Sequence, residues 1–272
     1  MNDMSAAKTA FIFIIAVIFV QGCTVTKPVQ PAPPSFFNGD ALPDAPDLAA
    51  RGEFHVGVRT IDLVHKHQLD ILHSKNGIDT FYDRPLKIEV WYPAIVPAGL
   101  SELTMYSDVL GSTLDSTRPI TPFTFNGRAL RNAEPDKRIT SYPLIIVSHG
   151  YPGSRVLLTY LTENLASKGY IVASIDHTES THGDQAGFAS TLLNRPLDIL
   201  FVLNQMAEEG RPGSNSFLAG IVDTNSVALI GYSMGGYGVM NVAGAGFSEK
   251  LSGLFKVMTS GSKAIESLAA NH

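Results

Sequence analysis

Cysteine is almost absent from this chain of 272 residues: Cys23 is the only one, which excludes an intrachain disulfide and a cysteine-based metal site. Excess positive charge is missing too. The net charge is −5, with 20 Lys and Arg against 25 Asp and Glu, so nothing in the composition points to nucleic acid as a partner. The apolar run from Ala10 to Val20 is too short to span a bilayer comfortably. What remains, at 44% hydrophobic residues, is enough to bury the core of one α/β domain.

The most informative stretch is Val227-Ala228-Leu229-Ile230-Gly231-Tyr232-Ser233-Met234-Gly235-Gly236, an apolar strand that ends in G-x-S-x-G and continues at helical spacing through Val239, Met240, Val242 and Ala243. It reads as a nucleophile elbow, in which a strand turns sharply into a helix and holds Ser233 in a strained conformation with its hydroxyl projecting. Gly231 and Gly235 are expected where a Cβ would collide with the neighbouring strand or helix, and Gly236 to keep the first helical turn close to the sheet. A glycine-rich turn without chemistry is the plain alternative, and the strand-then-helix context favours the elbow.

A second apolar strand, Pro143 to Ser148, empties into His149-Gly150-Tyr151-Pro152-Gly153. Acyl transfer needs backbone donors for an oxyanion, and the N–H groups of Tyr151 and Met234 are the expected pair. His149 reads as a structural histidine orienting this loop, because the catalytic base should come from a later strand. A helix is expected over 154–168 with Gly169 as its stop, then a buried strand over 170–175, giving a βαβ unit with parallel strands. Asp176 and His177 follow at the strand's carboxyl end. Adjacent residues on an extended segment point in opposite directions, so they cannot both aim at one serine. A helix over 192–206 crosses back to the elbow strand, with Pro196 expected in its first turn.

Upstream, Phe54 to Val64 suggests an edge strand, and Leu86 to Tyr92 a clearer one stopped by Pro93. Between them His65, His67 and His73 invite a metal reading. Their surroundings resemble a solvated loop without acidic-histidine spacing, so neither metal nor cofactor is expected. Residues 97–142 read as a long loop, a lid or substrate-side embellishment, in which Pro122-Phe123-Thr124-Phe125 either lines a pocket or forms a satellite core cluster.

The N-terminus divides into a secretory signal over 1–22 and a Pro-rich tether over 23–52, ahead of a folded domain over 53–272. The run Val20-Gln21-Gly22-Cys23 resembles the end of a bacterial lipoprotein signal. That resemblance implies lipidation of Cys23 and a lipid-anchored place in the cell envelope, on its periplasmic or extracellular face.

The segments Val90-Trp91-Tyr92-Pro93, Ile146-Val147-Ser148-His149-Gly150, Leu165-Ala166-Ser167-Lys168-Gly169-Tyr170, Ile175-Asp176-His177 and Gly231 to Gly236 occur in the order seen in the platelet-activating factor acetylhydrolase branch of the α/β-hydrolases, and the chain resembles a bacterial lipoprotein relative of that branch. The resemblance implies an α/β-hydrolase fold, a mostly parallel sheet with helices on both faces. It also implies a carboxylic-ester hydrolase using Ser233 as nucleophile on short acyl esters, with acetyl esters of phospholipids as the family's own case. Dienelactone-hydrolase-like polyesterases and cutinases share Ser-Met-Gly-Gly after the fifth strand, so a cutinase-like polyesterase is a further reading.

The chain departs from that pattern after Ser233, where the only acids are Glu249 and Glu266 and the only histidine is His272. In these enzymes the order is Ser, then Asp or Glu, then His. The triad acid and base are thus not reached, the C-terminal strands are missing, and the sequence reads as a truncated piece of a longer hydrolase whose elbow strand becomes a bare edge. A non-catalytic lipoprotein that binds an acyl ligand or a partner is the rival from another class.

Overall fold

The computed structural model describes residues 37, 40, 44–75, 77–246, 248, 250, 253 and 262–270. The signal, Cys23, Glu249 and His272 lie outside them.

Two long antiparallel strands open the domain, β1 (His55–Leu69) and β2 (Phe81–Ile95). Both outrun their sequence limits. His65 and His67 belong to β1 rather than to a loop, and His65 stacks on Phe201 with ring centroids 4.1 Å apart. Pro93 does not stop β2. Its carbonyl accepts from the Asp136 N–H at 2.9 Å, so its donor-less nitrogen faces the same side, in the gap between the last pair with one neighbouring strand at Trp91 and the first pair with the next at Ala94.

Residues 97–142 are not a plain loop. They hold an antiparallel hairpin, β3 (Thr104–Leu110) with β4 (Thr121–Gly127), and the two-residue strands β5 (Leu130–Arg131) and β6 (Glu134–Pro135). Nor does the hairpin hang free as a lid. Trp91 Nε1 donates to the buried Tyr106 hydroxyl at 2.8 Å, and that hydroxyl donates to Glu163 at 2.8 Å, tying it to the helix behind.

The next elements are β7 (Tyr142–Ser148), α1 (Thr159–Ser167) and β8 (Ile171–Asp176), the βαβ unit with its parallel pair. Helix α1 begins later than 154 because residues 154–159 wind in tighter turns, with Leu157 N–H on the Ser154 carbonyl and Thr159 N–H on the Val156 carbonyl, both at 3.2 Å. Gly169, at φ +92°, ends the helix as expected. Helix α2 (Phe188–Gly210) is longer than its apolar stripe suggested, and Pro196 sits inside it, not in its first turn. Proline there removes the bond to the carbonyl four residues back, that of Leu192. The Tyr237 hydroxyl takes that carbonyl instead, at 3.0 Å.

The elbow strand β9 (Val222–Gly231) pairs in parallel with β7, and α3 (Met234–Val242) follows after two residues. A last helix, α4 (Lys263–Ala270), buries Ile265 and Ala269 against Ile71, Leu192 and Leu193.

The sheet order is β5-β1-β2-β8-β7-β9, with β6 attached to β2. Its long strands therefore run first, second, fourth, third and fifth in chain order, antiparallel at the start and parallel from β8 to β9. This is the α/β-hydrolase fold through its fifth strand. Alternate residues of β7 serve opposite faces: Leu144 and Ile146 pack with Ile199, Val202 and Met206 of α2, while Ile145 and Val147 join Val172 beside Leu158 and Leu165. Among the described residues β9 pairs only with β7, and its edge is open, with Thr224 to Ala228 exposed.

Part of the segment read as tether belongs to this domain. Phe37 is buried under the Arg128 guanidinium, 4.0 Å from ring centroid to Cζ, and Asp40 pairs with Arg128 at 2.6 Å. Arg128 holds the Asp40 carboxyl below the usual carboxylate range. Asn164 and Lys168 donate to the carbonyls of Ala49 and Leu48.

Candidate active site

Ser233 sits at the junction of β9 and α3 with φ +53° and ψ −117°, a region that costs a non-glycine residue on the order of 1–3 kcal/mol. Its side chain is exposed and, among the described residues, makes no capping hydrogen bond. The flanking glycines explain how the turn closes. A Cβ on Gly231 would lie 2.3 Å from the Gly235 carbonyl oxygen, and one on Gly235 would lie 1.9 Å from the Ser148 carbonyl oxygen, so neither position admits a side chain. Gly236 is different: a Cβ there meets nothing nearer than 3.5 Å, so its expected packing role falls away. One turn beyond Gly235 the helix is tight again at Gly238, where a Cβ would come 2.8 Å from Arg195 Cγ.

The loop after β7 lies against the serine. A Cβ built on Gly150 would be 3.2 Å from the Ser233 Cβ. Both carbonyls before Tyr151 are turned inward: Arg195 Nη1 donates to the His149 carbonyl at 2.6 Å, and the Gly150 carbonyl accepts from His149 Nδ1 at 2.6 Å and from Arg195 Nη2 at 3.4 Å. In a trans peptide the following N–H points opposite to the carbonyl, so the Tyr151 N–H is turned out of the core. Neither it nor the Met234 N–H at the start of α3 donates to any acceptor among the described residues. Met234 follows Ser233 directly, Tyr151 follows Gly150 in the loop packed against it, and the Met234 N–H carries the partial positive charge of a helix start.

His149 is structural, as its position suggested. It is buried, and its Nε2 accepts from the His177 N–H at 3.2 Å, which together with Nδ1–H on Gly150 fixes the tautomer. Burial, reinforced by His177 and Arg195, pushes its pKa well down, so the ring is neutral.

Asp176 and His177 do point apart. Asp176 takes Arg155 Nη1 at 2.6 Å on one side of the strand. On the other, His177 Nε2 is 2.8 Å from Ser148 Oγ and its Nδ1 is 3.0 Å from Asp198, a serine-histidine-aspartate chain that sequence reading missed. Burial pulls His177 down to about 4, and Arg84, through charge and two hydrogen bonds at 2.8 and 3.0 Å, holds Asp198 at about 2 against its own burial. The ring is neutral, donating from Nδ1 and accepting the Ser148 proton at Nε2, as in a catalytic triad. Yet Ser148, His177 and Asp198 are 0%, 1% and 0% exposed, and Ser148 Oγ also accepts from Arg195 Nη1 at 3.1 Å. No substrate reaches this serine, so the chain is a rivet between β7, β8 and α2.

Among the described residues no group of His, Cys, Asp and Glu could hold a metal ion. Phe123 and Phe125 line a cleft of about 240 Å³ with Val156, Leu157 and Tyr160, while Phe125 also stacks on Tyr106, so both readings of that segment hold in part. No residue of the elbow or of the His149-to-Tyr151 loop lines it.

Against known proteins, a family model described as PET hydrolase-like matches residues 133–251. The chain is 30% identical over 103 residues to Cutinase 2 of Thermobifida cellulosilytica, covering 38% of this chain and 35% of that one. To Cutinase est2 of Thermobifida alba it is 31% identical over 103 residues, covering 38% and 30%. The match spans about a third of the length of these curated relatives. A ferulic acid esterase from Streptomyces cinnamoneus aligns with a TM-score of 0.48 at 24% identity, covering 72% of this chain and 57% of that one.

Proposed function

We propose that this α/β-hydrolase is a serine ester hydrolase in which Ser233 attacks the acyl carbon and the N–H groups of Tyr151 and Met234 receive the oxyanion. The observation that carries the reading is the conjunction at Ser233: an exposed hydroxyl on a backbone at φ +53°, with two donors beside it that have no acceptor among the described residues. A glycine-rich turn without chemistry gives no reason for a serine, rather than a glycine, to occupy that backbone conformation.

The attack needs a base to take the hydroxyl proton, and serine is a poor nucleophile at neutral pH without one. Among the described residues no imidazole or carboxylate bonds the Ser233 hydroxyl, and the Ser148-His177-Asp198 chain is closed to it. The reading therefore places the acid and base outside the described residues.

For substrate, the resemblance to acetylhydrolases favours short acyl esters, acetyl esters of phospholipids among them. The similarity to cutinases and to PET hydrolase-like proteins favours a polyesterase acting on longer or polymeric esters. A panel running from p-nitrophenyl acetate through longer acyl esters to an acetylated phospholipid and a polyester film separates the two, with Ser233→Ala as control. Acyl-ligand binding without turnover, unaffected by Ser233→Ala, favours the non-catalytic alternative. The lipid anchor at Cys23 and the envelope location are proposed on the N-terminal sequence alone, and metabolic labelling with a fatty acid, lost in Cys23→Ala, tests them.

A further inference from the structure

We propose that Arg195 is a positioning residue for the oxyanion hole: it grips the carbonyls of His149 and Gly150 from beneath and so turns the Tyr151 N–H toward Ser233. The inference rests on the ester-hydrolase reading and adds to it a residue from a different element, α2, that touches no substrate.

The donors of this guanidinium are all used. Nε and Nη2 both reach Thr191 Oγ1 at 3.2 Å, Nη1 reaches Ser148 Oγ at 3.1 Å and the His149 carbonyl at 2.6 Å, and Nη2 reaches the Ser180 hydroxyl and the Gly150 carbonyl, the latter at 3.4 Å. None of these acceptors is a carboxylate. A buried cation normally sits on one, since leaving it unpaired in a poorly solvating interior is expensive. Asp198 lies one turn further along the same helix, but its oxygens are taken by Arg84 and His177. The two buried arginines thus divide the labour: Arg84 neutralises Asp198, and Arg195 keeps its charge under the loop.

Two further contacts tie Arg195 to the site. Its stem fills the space opposite Gly238, in the helix that supplies the Met234 N–H. Its head reaches the carbonyl of the peptide that supplies the Tyr151 N–H at 3.4 Å, beside His149 Nδ1 at 2.6 Å, and takes the preceding carbonyl, that of His149, at 2.6 Å. One side chain is therefore braced against both walls of the oxyanion hole. The planar fork lets Nη1 and Nη2 reach successive carbonyls at once, which a lysine ammonium cannot copy. A positive charge below the site also favours negative charge developing above it. Burial lowers the Arg195 pKa to about 10, so it stays protonated at neutral pH.

The test is Arg195→Met and Arg195→Lys in the full chain, with kinetics on p-nitrophenyl butyrate and a crystal structure of each. The expected result is a kcat lower by roughly 100-fold in Arg195→Met, the loss typical of removing one oxyanion donor, with KM within about threefold. Arg195→Lys should fall between the two, and in Arg195→Met the Gly150–Tyr151 peptide should be rotated. An unchanged kcat, or an unrotated peptide, overturns the proposal. If Arg195→Met does not fold, the double variant Ser180→Ala, Thr191→Val leaves the arginine in place with fewer anchors; it should lower kcat several-fold at constant KM, and wild-type kcat overturns the proposal. If the wild-type chain neither hydrolyses esters nor accepts a fluorophosphonate on Ser233, the hydrolase reading has failed, and the peptide's orientation still decides whether Arg195 holds the loop.

Discussion

Ser148 Oγ lies 2.8 Å from Nε2 of His177, the distance and tautomer of a catalytic pair, yet neither side chain is open to solvent. The exposed serine, Ser233, has no imidazole hydrogen-bonded to it among the described residues. Triad geometry and nucleophile geometry have come apart here, and strain and exposure identify the reacting serine better than a hydrogen-bonded chain does.

Replacing Ser233 by glycine separates stability from function. Glycine accepts φ +53° without a Cβ penalty, so Ser233→Gly should raise unfolding free energy by about 1 kcal/mol while abolishing ester hydrolysis. Urea unfolding and an esterase assay on the same preparation check both halves.

The two glycines after Ser233 should respond oppositely to alanine. At Gly235 the new Cβ would sit 1.9 Å from the Ser148 carbonyl oxygen, forcing α3 off the sheet at a cost of more than about 3 kcal/mol. At Gly236 the nearest atom is 3.5 Å away, and alanine in a helix should be neutral or stabilising by about 0.5 kcal/mol. Thermal unfolding of the two variants side by side gives the comparison.

Stability should decline on mild acidification. His177 has a folded pKa of about 4 against an ordinary 6.5, so below 6.5 the unfolded chain binds a proton that the folded chain refuses. The stabilisation is complete above pH 6.5 and is lost as pH falls toward 4, a loss of roughly 3 kcal/mol from this residue. His149, also depressed by burial, acts in the same direction. Urea midpoints at pH 7.5 and 5.0 should differ accordingly, and the difference should shrink in His177→Asn.

Removing the charge of Asp198 leaves Arg84, 1% exposed, without its bidentate partner. Asp198→Asn should cost about 3–5 kcal/mol, far more than the loss of a surface pair such as Lys66 with Asp83. Denaturant unfolding of Asp198→Asn and Asp83→Asn measures the contrast.

The sequence carried the elbow because strain and steric closeness leave a local mark: glycine where Cβ is impossible, after an apolar strand and before a helix. It carried the βαβ unit and the divergence of Asp176 and His177 for the same reason, since periodicity is local. The buried network was illegible because its partners are distant, 114 residues apart for Arg84 and Asp198. One signal was available: Arg195 falls on the apolar stripe of α2 with Leu192, Ile199, Val202 and Met206, and a charge on a buried stripe demands a partner. The β3–β4 hairpin escaped because its Thr, Ser and Pro content hides a strand buried mainly through Tyr106.

The central claim is that Ser233, and not Ser148, is the nucleophile. Its most direct test is to incubate the folded full chain with a fluorophosphonate and map the adduct by peptide mass. The account predicts a single adduct on Ser233, absent from Ser233→Ala and undiminished in Ser148→Ala as long as that variant stays folded. An adduct on Ser148, or a folded chain that takes no label at Ser233, contradicts it.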